Sequence, residues 1–218
     1  RAALAIASGA ADRVAIAGTS AVIHGLLPFT IARYIEQRPG SSPSITMRSL
    51  QEIAELGAQG HFDLIIAPTP ARPPYYDLVR SIEFDLCFAG PANLLTTISD
   101  SLSLDQLAGM PFISLDPFAT YQESVERALK AADIEVRLAC ETSSVMAAGR
   151  LVELGVGCAF LDPFVARTIN NPAVAVRKLT PVITHSYSVF APSNTPLGDE
   201  TKYVLESLNA VVDDLKIG

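Results

Sequence analysis

The chain has 218 residues, 49% of them hydrophobic, and a formal net charge of −7. That length suits one large domain or two lobes of about 100 residues each, with enough apolar residues for compact cores. Charged residues make up only 18%, and no run of Lys and Arg builds the basic stripe that a phosphate backbone demands, which argues against DNA binding by this chain alone.

The first element in chain order is Arg13-Val14-Ala15-Ile16-Ala17, a short apolar run bounded by Gly18, which predicts a central strand. Thr19 and Ser20 offer N-cap hydroxyls ahead of an apolar helical face from Leu26 to Ile35, and Pro39-Gly40 ends it. The pattern repeats with a strand at Ser44–Arg48, a helix over Gln51–Gly60 and a strand at Asp63–Ala67. Strands alternating with helices predict a parallel sheet with right-handed crossovers. Arg72–Asp77 is too rich in Pro for regular structure and reads as a loop, followed by a strand from Leu78 to Phe88 that leaves the first lobe.

A second α/β unit follows. Its expected strands are Pro111–Leu115, Glu135–Cys140 and Val156–Leu161, and its helices are Tyr121–Ala132 and Ser144–Leu154. A final strand, His185–Ala191, and a final helix, Lys202–Leu215, are separated by Asn194, Pro196 and Gly198. The return to the first lobe is expected there, with the last helix packing on that lobe.

Cys87, Cys140 and Cys158 are too few and too odd in number for a disulfide framework, and read as buried thiols of a reducing compartment. No stretch near residue 1 has signal-peptide order, and no apolar run reaches the ~18 residues of a membrane span. A cytoplasmic protein without membrane association is expected. The abrupt start Arg1-Ala2-Ala3 suggests a piece of a longer chain.

His24, His61 and His185 are scattered, with no His-x-x-x-His or Cys-x-x-Cys spacing, so no metal is expected. There is no Gly-x-Ser-x-Gly elbow, no Gly-x-Gly-x-x-Gly and no Gly-Lys-Ser or Gly-Lys-Thr, so nucleophilic hydrolysis, dinucleotide binding and nucleotide binding lack their local chemistry. No cofactor and no catalysis are expected. Gly155-Val156-Gly157 stands after a helix and before a strand, the reverse of a dinucleotide site, and reads as a turn.

Three strings carry a resemblance. Leu26-Leu27-Pro28, Gly60-His61-Phe62-Asp63-Leu64-Ile65-Ile66 and Leu151-Val152-Glu153-Leu154-Gly155-Val156-Gly157-Cys158-Ala159-Phe160-Leu161-Asp162-Pro163 resemble signatures of the effector-binding domain of LysR-type transcriptional regulators. The likeness runs from about Ala11 to near the end of the chain. Gly25–Pro28 and Leu161–Pro163 look most like regulators of opine catabolism, the octopine and nopaline sensors.

The resemblance implies an α/β fold of two Rossmann-like lobes with an interlobe cleft, similar to type 2 periplasmic binding proteins. Lobe 1 would comprise 12–84 plus 193–218, and lobe 2 would comprise 85–192. It also implies a homodimer of this domain, built side by side and antiparallel on the helices around Leu26–Ile35 and Met146–Leu154, and a tetramer at full length. DNA contact is left to an N-terminal winged helix-turn-helix outside this chain.

In open α/β sheets ligands lie beyond the carboxyl ends of the strands, where helix N-termini present free N–H groups. The positions there are Thr19, Ser20 and Ala21; Arg48, Ser49 and Leu50; Pro68 and Thr69; Asp116, Pro117 and Phe118; Ser144 and Val145; and Asp162. They match the cleft-lining loops of the resembling family. Arg48 and the helix start near Ser20 suit a carboxylate, whereas Asp116, Asp162 and Glu141 suit an ammonium or guanidinium. An amino acid, an opine or a related organic acid would satisfy both.

Plainer readings stand beside these. Ser20 and Ser144 serve equally well as helix caps, Arg48 as a solvated charge, Asp116 and Asp162 as turn residues before Pro, and Phe118 as core filler. Two other function classes share the architecture: a transporter's solute-binding protein, typically monomeric, and a dehydratase-like enzyme, which needs an acid/base cluster the sequence does not show.

Overall fold

The computed structural model describes residues 13–55, 62–95, 101–116 and 121–216. The chain divides into two units. Unit 1 is Arg1–Ile82 with Tyr187–Gly218, and unit 2 is Glu83–Ser186.

Unit 1 is built on a sheet whose central strands are continuous apolar runs. β1 (Ala15–Gly18) lies between β2 (Ser44–Met47) and β3 (Leu64–Pro68), parallel to both, with Ile16 opposite Ile45 and Leu64. Every residue of β3 is buried, as befits a strand covered on both faces. Asp63 fixes the register by accepting the Ala15 amide at 2.7 Å, while its own amide donates to the Ala15 carbonyl at 2.8 Å. Gly60 and His61 of the same string lie outside the described residues.

The segment after β1 enters helix through a π-helical stretch, Val22–Leu26, and continues as α1, Leu27–Gln37. Pro28 has no N–H to give to the His24 carbonyl, and the Leu27 amide reaches back five residues to Val22. A plain helix was the expectation, and the widened turn is the consequence of that proline. α2 spans Leu50–Glu55; the expected continuation to Gly60 falls outside the described residues. One sheet face packs Ala17, Ile65, Ala67 and Phe190 with Ile53 of α2.

The sheet order is β2-β1-β3-β11-β4, with β4 at Tyr76–Asp85 and β11 at Thr184–Pro192. β11 runs antiparallel to β3, Val189 opposite Ile66, so an all-parallel sheet is not what forms. The same pairing corrects the expected return after residue 192, because the chain rejoins unit 1 at Tyr187, within the strand. The last helix, which we label α6 (Asp199–Lys216), packs against α1 and buries Val204, Leu208, Val211 and Val212. Arg38 and Tyr34 of the α1 end both hydrogen-bond the Glu200 carboxylate, and Arg33 pairs with Asp214 at 3.0 Å.

In unit 2 the expected single strand from Leu78 to Phe88 is two, β4 and β5 (Cys87–Pro91), broken at buried Leu86. One sheet has the order β6-β10-β5-β9, where β6 is Ser101–Ser103, β9 is Ala159–Leu161 and β10 is Val174–Thr180. β5 is antiparallel to both β9 and β10. β7 (Pro111–Leu115) and β8 (Arg137–Thr142) form a parallel pair.

Helix α3 (Gln122–Ala131) precedes β8, α4 (Val145–Glu153) follows it, and a short α5 (Pro163–Ala166) follows β9. Phe160 meets Phe88 and Phe112 edge to face at 5.2 and 5.7 Å, which ties β9 to β5 and β7. Gly155-Val156-Gly157 is a turn, so β9 begins three residues later than the expected Val156. Gly155 has φ +77°, and a Cβ on Gly157 would stand 2.6 Å from the Pro111 carbonyl oxygen.

Candidate functional site

The strand order of unit 1 brings three of the expected segments to one sheet edge. Gly18 ends β1 opposite Met47 of β2 and Ile66 of β3, so Thr19, Arg48 and Thr69 follow neighbouring parallel strands. The Arg48 amide donates to the Gly18 carbonyl at 2.9 Å, and the Ile23 amide to the Thr19 carbonyl at 2.9 Å.

The polar groups at this edge differ in what engages them. Thr19 Oγ1 is buried with no hydrogen-bond partner among the described residues. No side-chain cap closes the turn that begins at Ala21, and no acid occupies its first turn, so its positive end is not neutralised locally. The half-buried Arg48 bonds the Met47 carbonyl at 3.0 Å and lies 5.7 Å over the Phe62 ring. Among the described residues it forms no ion pair within 4 Å.

Ser49 is a cap. Its hydroxyl accepts the Glu52 amide at 3.1 Å, and Glu52 accepts the Ser49 amide at 2.7 Å, which holds the Glu52 carboxyl below its ordinary range. Leu50 is exposed, Pro68 is buried, and Thr69 shares a 2.7 Å hydrogen bond with Ser188 of β11. Ser188 was not among the expected positions; it is one buried hydroxyl in an apolar strand, and that was the signal available.

Unit 2 gathers its own positions at strand ends. The Asp116 amide after β7 donates to the Thr142 carbonyl at the end of β8 at 3.0 Å, so Asp116 and the Ser144 turn are neighbours. Ser144 caps α4 by accepting the Ala147 amide at 3.3 Å, and Val145 is buried beneath it. Asp116 is half-buried and Glu141 exposed. Pro117 and Phe118 lie outside the described residues.

Asp162 corrects the expectation that it meets a ligand cation. It is 0% exposed, and its Oδ1 accepts the Val165 amide at 2.8 Å, capping α5. Burial, with the Asp162 charge adding to it, pushes the Cys87 thiol up to about 12 and the Tyr121 phenol well above 10. Tyr121 donates to the Phe160 carbonyl at 3.2 Å. This cluster is interior structure, and Cys87 is an inert thiol.

A crevice of about 320 Å³ in unit 1 lies apart from these positions, at the opposite strand ends, lined by Arg13, Val14, Arg38, Asp63 and Gly198–Thr201. Most of its charges are already paired, Arg38 with Glu200, Asp199 with Lys202, and Asp63 with the Ala15 amide. No group of three or more His, Cys, Asp or Glu among the described residues is placed to hold a metal.

Two α/β units with candidate polar positions at their strand ends define a small-molecule-binding module similar to type 2 periplasmic binding proteins. The LysR substrate-binding domain model matches residues 7–213, and the chain belongs to that family, the effector-sensing domains of LysR-type regulators. It is 25% identical over 187 residues to the regulatory protein NocR of Agrobacterium tumefaciens, covering 85% of this chain and 61% of NocR. The chain therefore spans about three fifths of that relative. Among solved structures, CbnR, a LysR family transcriptional regulator, aligns with TM-score 0.74 at 19% identity, over 97% of this chain and 73% of CbnR. The regulatory domain of Synechocystis CcmR, solved in complex with 2-PG, aligns with TM-score 0.71 at 16% identity, over 93% of this chain and 98% of that one.

Proposed function

We propose that this chain senses a small carboxylate-bearing effector for a cytoplasmic LysR-type regulator and catalyses no reaction. The observation that carries the reading is the edge after β1 and β2. There a buried hydroxyl without a partner (Thr19), an uncapped helix start (Ser20, Ala21) and an arginine without an ion pair (Arg48) all offer donors.

The effector's carboxylate binds there, and Pro68, Thr69, Ser49 and Leu50 shape the rest of that wall. Asp116, with Pro117, Phe118, Ser144 and Val145, forms the wall contributed by unit 2 and receives an ammonium or guanidinium. With Asp162 engaged by α5, Asp116 and Glu141 are the acids left for that role. An amino acid or an arginine-derived opine carries both charges, and the likeness to NocR favours the opine class.

Binding changes the relative population of two lobe arrangements through differential affinity. The domain forms a homodimer, the full-length protein a tetramer, and DNA is bound by a part of the protein outside residues 1–218. CbnR, which this chain resembles in fold, has been solved at full length with its target DNA.

Thermal unfolding against octopine, nopaline and free amino acids tests the ligand class. A ligand at about 100 times its Kd adds about 2.7 kcal/mol of stability. A shift with an opine or amino acid that disappears in Arg48→Ala supports the proposal. A shift only with uncharged or purely cationic compounds overturns it.

A further inference from the structure

The chain passes between its two units along β4, after Ile82, and along β11, before Tyr187. On the unit 2 side of these crossings the two strands are tied together. The Leu86 amide donates to the Ile183 carbonyl at 2.9 Å, and Thr184 Oγ1 donates to Asp85 Oδ1 at 2.9 Å. Phe84 of β4 and His185 of β11 meet edge to face, their centroids 5.7 Å apart. The His185 ring also meets Tyr121, at the start of α3, at 5.8 Å, and Phe84 meets Phe164 of α5 at 5.3 Å.

His185 Nε2 is buried in this aromatic niche with no hydrogen-bond partner among the described residues. The titratable groups around it are otherwise engaged. Tyr121 donates its hydroxyl to the Phe160 carbonyl, Asp162 accepts the Val165 amide, Asp85 accepts from Thr184, and the Cys87 thiol is held neutral by burial.

We propose that His185 is a proton-operated latch on the two strands that connect the units. Neutral, the ring stays wedged between Phe84 and Tyr121 and keeps β4 and β11 packed on the start of α3. A proton on the imidazole places a charge where Nε2 has no acceptor, so the charged ring leaves the niche and frees Phe84 with it.

Burial holds the His185 pKa below its ordinary value of 6.5, in line with that geometry. The sign follows. The closed latch is fully favoured above pH 6.5 and loses ground as pH falls from there towards the lowered value, by up to about tenfold in population per pH unit.

The test follows the His185 ring by NMR from pH 8 to 4.5 in the 218-residue chain, with amide exchange corrected for its intrinsic pH dependence. The expected result is a ring titrating below 6.5, with protection at residues 83–88 and 183–187 falling about tenfold or more over the same range while β1 and β3 keep theirs. In His185→Phe, which keeps an aromatic ring and cannot titrate, that protection should be flat with pH. A ring titrating at or above 6.5 overturns the proposal without recourse to any variant. So does an equal loss in His185→Phe, or a loss spread evenly over both units.

Discussion

Arg48 and Asp162 show how the surroundings of one side chain decide between ligand contact and local structure. Arg48 has only its neighbouring carbonyl and the Phe62 face, and it forms no ion pair among the described residues. A charge-assisted hydrogen bond to an effector carboxylate is worth about 1.5–3 kcal/mol, so Arg48→Ala should weaken opine or amino-acid binding roughly ten- to a hundredfold. The unliganded melting temperature should barely move, since no described contact beyond Phe62 is lost. Calorimetric titration of the variant checks this, and unchanged affinity would remove Arg48 from the site. Asp162 is the converse. Asp162→Ala should lower stability by about 1–2 kcal/mol through loss of the α5 cap, whatever ligand is present. Urea unfolding measures it, and a change under about 0.5 kcal/mol would show that the cap is dispensable.

Elements explain what the sequence made legible. β1, β3 and β7 are short apolar runs closed by Gly, Pro or Asp, and such runs announce central strands directly. β10 does not, because Arg177-Lys178 interrupts its alternation and Asn170-Asn171-Pro172 before it looks like loop. β6 and α5 have three and four residues, too few for any period to emerge. Strand direction was illegible for a different reason. The antiparallel pairing of β11 with β3, and of β5 with β9 and β10, is decided by which open edge a strand meets, not by its own composition. Strand-end positions could therefore be named from the sequence, while the engagement of Asp162 and Ser49 by nearby amides could not. The α1–α6 contact yields a pH prediction at this scale. Hydrogen bonds from Arg38 and then Tyr34 hold the Glu200 carboxyl below its ordinary 4.5, so its contribution is present above that value and lost as pH falls below it. Glu200→Gln should flatten the acid limb of the stability curve between pH 4.5 and 3, and a curve parallel to that of the wild type would refute the linkage.

At the scale of the whole molecule, several large apolar side chains remain uncovered in the single chain. Ile35 on α1 is 41% exposed, Met47 at the end of β2 55%, and Leu154 after α4 63%. Isolated exposed apolar residues are ordinary, but two of these three stand on the helices through which the family resemblance places a side-by-side antiparallel dimer. In that arrangement α1 of one copy meets α4 of the other, and each uncovered side chain is buried twice over by symmetry. A charge at the centre of such an interface leaves two carboxylates desolvated per dimer, a penalty of several kcal/mol, whereas on a monomer surface the same change falls within about ±0.5 kcal/mol. Ile35→Asp should therefore convert a dimer to a monomer at micromolar concentration while the monomer unfolds at nearly the same temperature in dilute solution. Sedimentation equilibrium decides between the readings. A wild-type chain that is monomeric throughout would favour a transporter's binding protein over a regulator, and a variant that stays dimeric would move the interface away from α1.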